Sequence, residues 1–158
     1  MVQRVPMTVD GYRKMKAQLR HLREVERPQN VRDIEVARSH GDLSENAEYH
    51  AAKERQAMLD AQMKQLESKI GLAEVIDPTS LSGERVVFGA TVTLENLDND
   101  EEVVYQIVGD DEAEPNEGRI SLSSPVARAL IGKEIGDEVL VQTPGGARGY
   151  EIMGVEFK

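Results

Sequence analysis

Apolar positions in the first half of the chain recur at helical spacing. Tyr12, Met15, Leu19, Leu22 and Glu26 stand 3, 4, 3 and 4 residues apart. The first four are apolar, which is the a/d stripe of a coiled coil. Thr8 is a natural N-cap ahead of them, and Asp10 suits the positive first turn. Pro28 interrupts the pattern: it lacks a backbone donor and its ring clashes with the preceding turn, so a kink or break is expected over residues 24–28. The stripe resumes with Val31, Ile34 and Ala37 or Arg38. A second stripe, Ala52, Leu59, Met63, Leu66, Ile70 and Ala73, is spaced 7, 4, 3, 4 and 3 and ends near residues 71–74. Two helices of this kind joined by a short turn run antiparallel and extend about 45 Å at 1.5 Å per residue. The seam is Ala-rich and thin. Such a rod sets length and direction and encloses no pocket.

The period changes after residues 77–83, whose Pro, Ser and Gly mark a linker. Beyond it, residues 86–94, 103–108, 119–122, 138–142 and 150–157 read as short strands. Asp98-Asn99-Asp100, Asn116-Glu117-Gly118 and Pro144-Gly145-Gly146 mark the turns between them. One short helix interrupts the strands, with Ser124 as N-cap, Pro125 first, residues 127–131 as its body and Gly132 as its close. The expected fold is α+β. An antiparallel coiled-coil hairpin (residues 1–76, tip at 41–46) is followed by the linker 77–83. An antiparallel sheet domain with one short helix occupies residues 84–158.

Composition narrows the chemistry. With no cysteine there is no disulfide, zinc–thiolate site or thiol nucleophile, which fits a reducing cytoplasm. No Trp is present, so the core must be aliphatic. The N-terminus lacks the apolar run of a signal peptide, and no stretch approaches the roughly 20 apolar residues of a bilayer span. Charge is uneven: residues 1–74 carry 13 Lys/Arg against 12 Asp/Glu, and residues 75–158 carry 6 against 17. Phosphates repel so acidic a C-terminal half, so any nucleic-acid contact falls to local basic residues of the first half.

The tip concentrates the candidate chemistry. Asp42 and Glu45 fit a capping box, Asp-x-x-Glu, at the start of the second helix. They also fit a pair of carboxylates offered to Mg²⁺, which takes oxygen ligands and is often held by only one or two carboxylates. Two carboxylates alone bind Mg²⁺ weakly, so that second reading needs ligands from elsewhere. Tyr49 lies one turn past Glu45, where it covers the top of the seam or shapes the tip. Arg38 and Lys53, one on each helix, are solvated charges or phosphate contacts. His21, His40 and His50 have no second ligand at metal spacing and read as surface residues. The acidic runs 98–102 and Asp110-Asp111-Glu112 read as solvated loops without EF-hand spacing. Ser124-Pro125 reads as a helix start or as an ordered loop that docks a partner.

Several motifs, in order, resemble those of the bacterial Gre transcript cleavage factors of the GreA type. They are the tip segment from His40 to Ala52, Phe88-Gly89-Ala90-Thr91-Val92, the run from Ile107 to Glu112, the run from Ser124 to Lys133, and Thr143-Pro144-Gly145-Gly146. The resemblance implies an FKBP-like C-terminal domain that grips bacterial RNA polymerase at the rim of its secondary channel, with Ser124 and Pro125 in the contact. It implies a coiled coil passing down that channel. Asp42 and Glu45 would then help hold the second Mg²⁺ of the polymerase and orient the water that hydrolyses a backtracked RNA 3′ end. Arg38 and Lys53 match positions that meet the RNA end. No cofactor is expected on the isolated protein, which is expected to be a cytoplasmic monomer, makes no membrane contact and is no enzyme by itself. The helices mix both charge signs, unlike the broad basic face of the GreB type. Two alternatives stand beside this: a Gre-like channel plug that inhibits without cleavage, and an FKBP-like prolyl isomerase with a coiled-coil arm. The second needs an aromatic pocket that Phe88, Tyr105, Tyr150 and Phe157 scarcely supply.

Overall fold

The computed structural model describes residues 3–42 and 46–158. Its chain divides into two compact units, one built on Tyr12–Ala73 and the other on Arg4–Gly11 with Glu74–Lys158. The strand at the N-terminus thus groups with the C-terminal half, whereas the sequence boundary set residues 1–76 together. Among the described residues no helix is long and apolar enough to cross a membrane.

The first unit is a pair of long helices. Helix α1 (Val9–His21) runs through a π-helical turn, Leu22–Glu26, into α2 (Arg27–Arg38), and α3 (Ala47–Leu72) returns. The interruption expected near Pro28 takes the form of this π turn. Arg27 N–H bonds back to the Leu22 carbonyl, so the chain accommodates a proline that has no donor without ending the helix. Met15, Leu19, Leu22 and Ala37 are buried as the stripe requires, but the seam position predicted for Val31 belongs to Asn30. Val31 is 43% exposed and Asn30 is 2% exposed. Asn30 Nδ2 donates to the Ala52 carbonyl at 3.0 Å, which satisfies a polar group inside the seam. Ala52, Leu59, Met63 and Leu66 of α3 are buried opposite. Glu26 keeps its charge within the stripe because the Arg55 guanidinium, and then His21, hydrogen-bond its carboxylate and hold it below the usual range.

The second unit carries two sheets. Strand β1 (Val5–Thr8) pairs with β2 (Ala73–Ile76). A five-stranded sheet follows from β3 (Thr91–Asn96), β4 (Glu102–Val108), β5 (Arg119–Ser121), β6 (Glu138–Thr143) and β7 (Gly146–Glu156), in the order β5-β4-β3-β7-β6. The antiparallel expectation holds except at one edge, where β4 and β5 pair in parallel. The chain between them leaves one end of β4 and returns through two 3₁₀ turns, which permits a parallel partner. Residues 86–90, expected as strand, form a turn instead, with Val86, Gly89 and Ala90 buried, Val87 exposed, and Gly89 in the left-handed region at φ 88°. The core is aliphatic: Val86, Val92, Leu94, Ile107, Leu130 and Ile152 have no exposed surface. Helix α4 (Pro125–Leu130) contributes Ala127 and Leu130 to it.

Two acidic features depart from the solvated-loop expectation. Glu112, within the run expected to be solvated, has a side chain only 2% exposed. It accepts from the Thr8 amide at 3.0 Å and the Gly109 amide at 2.8 Å, takes the Thr8 hydroxyl, and faces Arg119 Nη2 at 3.5 Å. Thr8 Oγ1 in turn accepts from the Gly11 amide at 3.1 Å, which caps α1 as its sequence position requires. A Cβ at Gly11 would lie 2.1 Å from Glu112 Oε1, so glycine is needed for the carboxylate to approach. Glu112 therefore staples the N-terminal strand to the sheet unit. The second feature is a row of four glutamates. Glu102, Glu95, Glu151 and Glu138 are direct cross-strand partners along β4, β3, β7 and β6. Like charges so placed repel.

Two outcomes follow for stability. Glu112→Ala strands four donors and costs the sheet unit about 3 kcal/mol, measured by urea unfolding followed through Tyr105 and Tyr150. Glu151→Lys relieves the glutamate row and adds about 0.5 kcal/mol at low salt, a gain that shrinks as salt is raised.

Candidate functional site

The tip is assembled from two helix ends. Helix α2 closes with short-range bonds: the Ser39 amide reaches the Glu35 and Val36 carbonyls at 3.2 and 3.1 Å, and the His40 amide reaches Ala37 O at 3.2 Å. The Gly41 amide bonds Arg38 O at 3.3 Å. Gly41 then adopts φ 106°, a left-handed turn open to glycine at little cost, and it redirects the chain out of the helix. Asp42 follows directly and is exposed. Glu45, the second carboxylate of the expected pair, lies outside the described residues.

The start of α3 assigns the capping role to a residue the sequence reading passed over. Asn46 has extended backbone angles, φ −88° and ψ 97°, and its Oδ1 accepts from the Tyr49 amide at 3.0 Å. The capping box expected of Asp42 involves Glu45 and lies outside the described residues; the cap of α3 itself is Asn46. Three residues of capping type, Asp42, Ser44 and Asn46, stand at alternate positions here. The Asp-x-x-Glu spacing favoured the first, although Asn46 stands immediately before the uninterrupted helical run. Asn46 also spans the tip, since its Nδ2 donates to Ala37 O at 2.6 Å.

Around this frame stand the remaining candidates. Arg38 is exposed in the last turn of α2, where a cation suits the negative helix end. Lys53 is exposed on α3 and donates from Nζ to Gln56 Oε1 at 2.9 Å. Tyr49 is half-buried and meets the His50 ring edge-on at 5.8 Å between centroids. His40 Nδ1 lies 4.0 Å from Glu48 Oε2, which pairs the two helix ends a second time when the imidazole is charged. The tip thus gathers Arg38, Asp42, Asn46 and Tyr49, with Lys53 a turn further along α3. An exposed carboxylate is a hard oxygen donor of the kind Mg²⁺ takes, so Asp42 fits that ion chemically.

Ser124 and Pro125 belong to the sheet unit, at the start of α4. Ser124 Oγ accepts from the Ala127 amide at 3.3 Å, as its sequence position predicts. The loop before it is ordered by Asp110. Its Oδ1 takes the Ser121 hydroxyl, and the Ser123 hydroxyl at 2.8 Å. These hydrogen bonds, first from Ser121 and then from Ser123, hold the Asp110 carboxyl below its ordinary range.

The chain matches two family descriptions end to end. "Transcription elongation factor, N-terminal" covers residues 5–75, and "Transcription elongation factor, GreA/GreB, C-term" covers residues 81–157. A Caulobacter vibrioides protein described as transcription elongation factor GreA is 57% identical over 156 residues, spanning 99% of both chains. One of the same description from Mesorhizobium japonicum is 58% identical over 154 residues, spanning 98% of both. A solved structure of the transcription factor Gfh1 aligns at 27% identity and TM-score 0.46, covering 98% of this chain and 99% of that one.

A depressed pKa means that Asp110 stabilises the 121–124 loop above the ordinary aspartate range of about 3.9, and that this contribution is lost as pH falls through the lower folded value. The Ser123 amide resonance should accordingly hold steady from neutral pH down to about 4 and shift only below that, and Asp110→Asn should abolish the inflection.

Proposed function

The chain belongs to the GreA/GreB family of transcription elongation factors, and from that premise we propose that it acts on bacterial RNA polymerase by stimulating hydrolysis of the 3′ end of backtracked RNA. The sheet unit docks at the rim of the secondary channel, with Ser124 and Pro125 in the contact, and the hairpin enters the channel. The nucleolytic chemistry belongs to the polymerase; the chain supplies groups to it and is no enzyme alone.

The observation that carries this reading is the placement of Asp42. It is exposed at the tip, immediately beyond the left-handed turn at Gly41, while Asn46 caps the following helix. Asp42 thus stands beyond the last turn of α2 and before the cap of α3. Asp42 would contribute oxygen to a Mg²⁺ held mainly by the polymerase, and Glu45 would complete the pair or hold the attacking water. Such an ion supplies charge stabilisation and a more acidic water. Arg38 and Lys53 are near enough along their helices to hold phosphates of the extruded RNA by charge. Tyr49, half-buried in the first turn of α3, would support the tip. The mixed charge of the helices suits short RNA ends more than long ones.

Asp42→Asn keeps shape and removes charge. It should bind polymerase as the parent does and lose roughly 10–100-fold in cleavage of a stalled, backtracked transcript, the scale on which metal-site groups act. Cleavage at the parent rate would rule out a metal-holding role for Asp42.

A further inference from the structure

One side chain joins the two helix ends at the tip. The Ala37 carbonyl, in the last turn of α2, can accept a second bond beside the one from the His40 amide, and the Tyr49 amide, in the first turn of α3, has no carbonyl partner within its own helix. Asn46 satisfies both, donating from Nδ2 to Ala37 at 2.6 Å and accepting at Oδ1 from Tyr49 at 3.0 Å. Only a carboxamide offers a donor and an acceptor side by side at this reach. Aspartate would cap α3 but has no hydrogen for Ala37, and would set a charge against its carbonyl. The Ala37 end is firm, because the residue is 2% exposed and its carbonyl also accepts from the His40 amide.

We propose that Asn46 is the positioning residue of the acidic tip. Its amide ties the end of α2, from which Asp42 follows, to the start of α3, and so fixes the separation of the two helix ends. The proposal rests on the tip reading given above and adds a residue that need touch neither metal nor RNA. A carboxylate beside helix ends held at a fixed separation meets an incoming Mg²⁺ with less ordering still to be done than one beside loose ends. Positioning of this kind acts on the apparent metal affinity of the shared site. It leaves polymerase docking, which lies in the other unit, unchanged.

The test compares parent, Asn46→Asp, Asn46→Ser and Asp42→Asn in complexes with backtracked polymerase. It measures binding, cleavage across a Mg²⁺ series, and the protection of the Tyr49 amide. Asn46→Asp should keep Tyr49 protected and bind polymerase within about twofold of the parent, yet lose about tenfold in cleavage at low Mg²⁺, the scale of a small misplacement, with partial recovery at high Mg²⁺. Asn46→Ser, a good cap with shorter reach, should shift in the same direction. Parent-like Mg²⁺ dependence in Asn46→Asp beside an inactive Asp42→Asn overturns the role of Asn46 and leaves the tip reading standing. Loss of cleavage in step with loss of binding also overturns it, since that is the mark of a merely structural residue. Parent-rate cleavage by Asp42→Asn would instead remove the tip reading itself.

Discussion

An antiparallel helix pair must resolve one problem at its turn: unpaired carbonyls at one helix end face unpaired amides at the start of the next. Here a single asparagine amide resolves part of both at once, from Ala37 on one side to Tyr49 on the other. Asn46 caps α3, and Asp42 stands just past the end of α2. A thin seam tolerates this arrangement because the hairpin needs direction more than it needs bulk. Even its polar interruptions are answered, Asn30 by the Ala52 carbonyl and Glu26 by Arg55.

The same economy appears in the sheet unit, where a buried carboxylate stands in place of apolar burial. Glu112 gathers donors from Thr8 and Gly109 with Arg119 beside it, and it ties a strand from the start of the chain to a sheet built from its end. A charge taken from water persists only where such partners meet it. Gly11 leaves the space that the carboxylate occupies.

Much of this was legible in the sequence where local rules decide. The two stripes placed the helices, the Pro28 interruption was correctly located, and Ser124 and Thr8 capped where their types suggested. What was not legible depended on distant partners. Val31 lost the seam to Asn30, whose amide reaches the Ala52 carbonyl on the other helix, a contact that a heptad count cannot foresee. Glu112 looked solvated beside Asp110 and Asp111, since its partner Thr8 lies about a hundred residues away in the chain. The parallel edge of β5 came from turn geometry between two strands rather than from either strand's pattern. At the tip, the cap at Asn46 went unread, and its second contact, to Ala37, crosses from one helix to the other.

The function proposed above rests on one central claim, that the chain carries part of a metal site and the polymerase carries the rest. A shared site should reveal itself in how much Mg²⁺ the reaction needs. The direct measurement is the half-saturating Mg²⁺ concentration for cleavage of a backtracked transcript, with and without this protein. The account predicts a lower value with the protein present. An unchanged value with only a faster maximal rate would contradict it, because the tip would then act without helping to hold the ion.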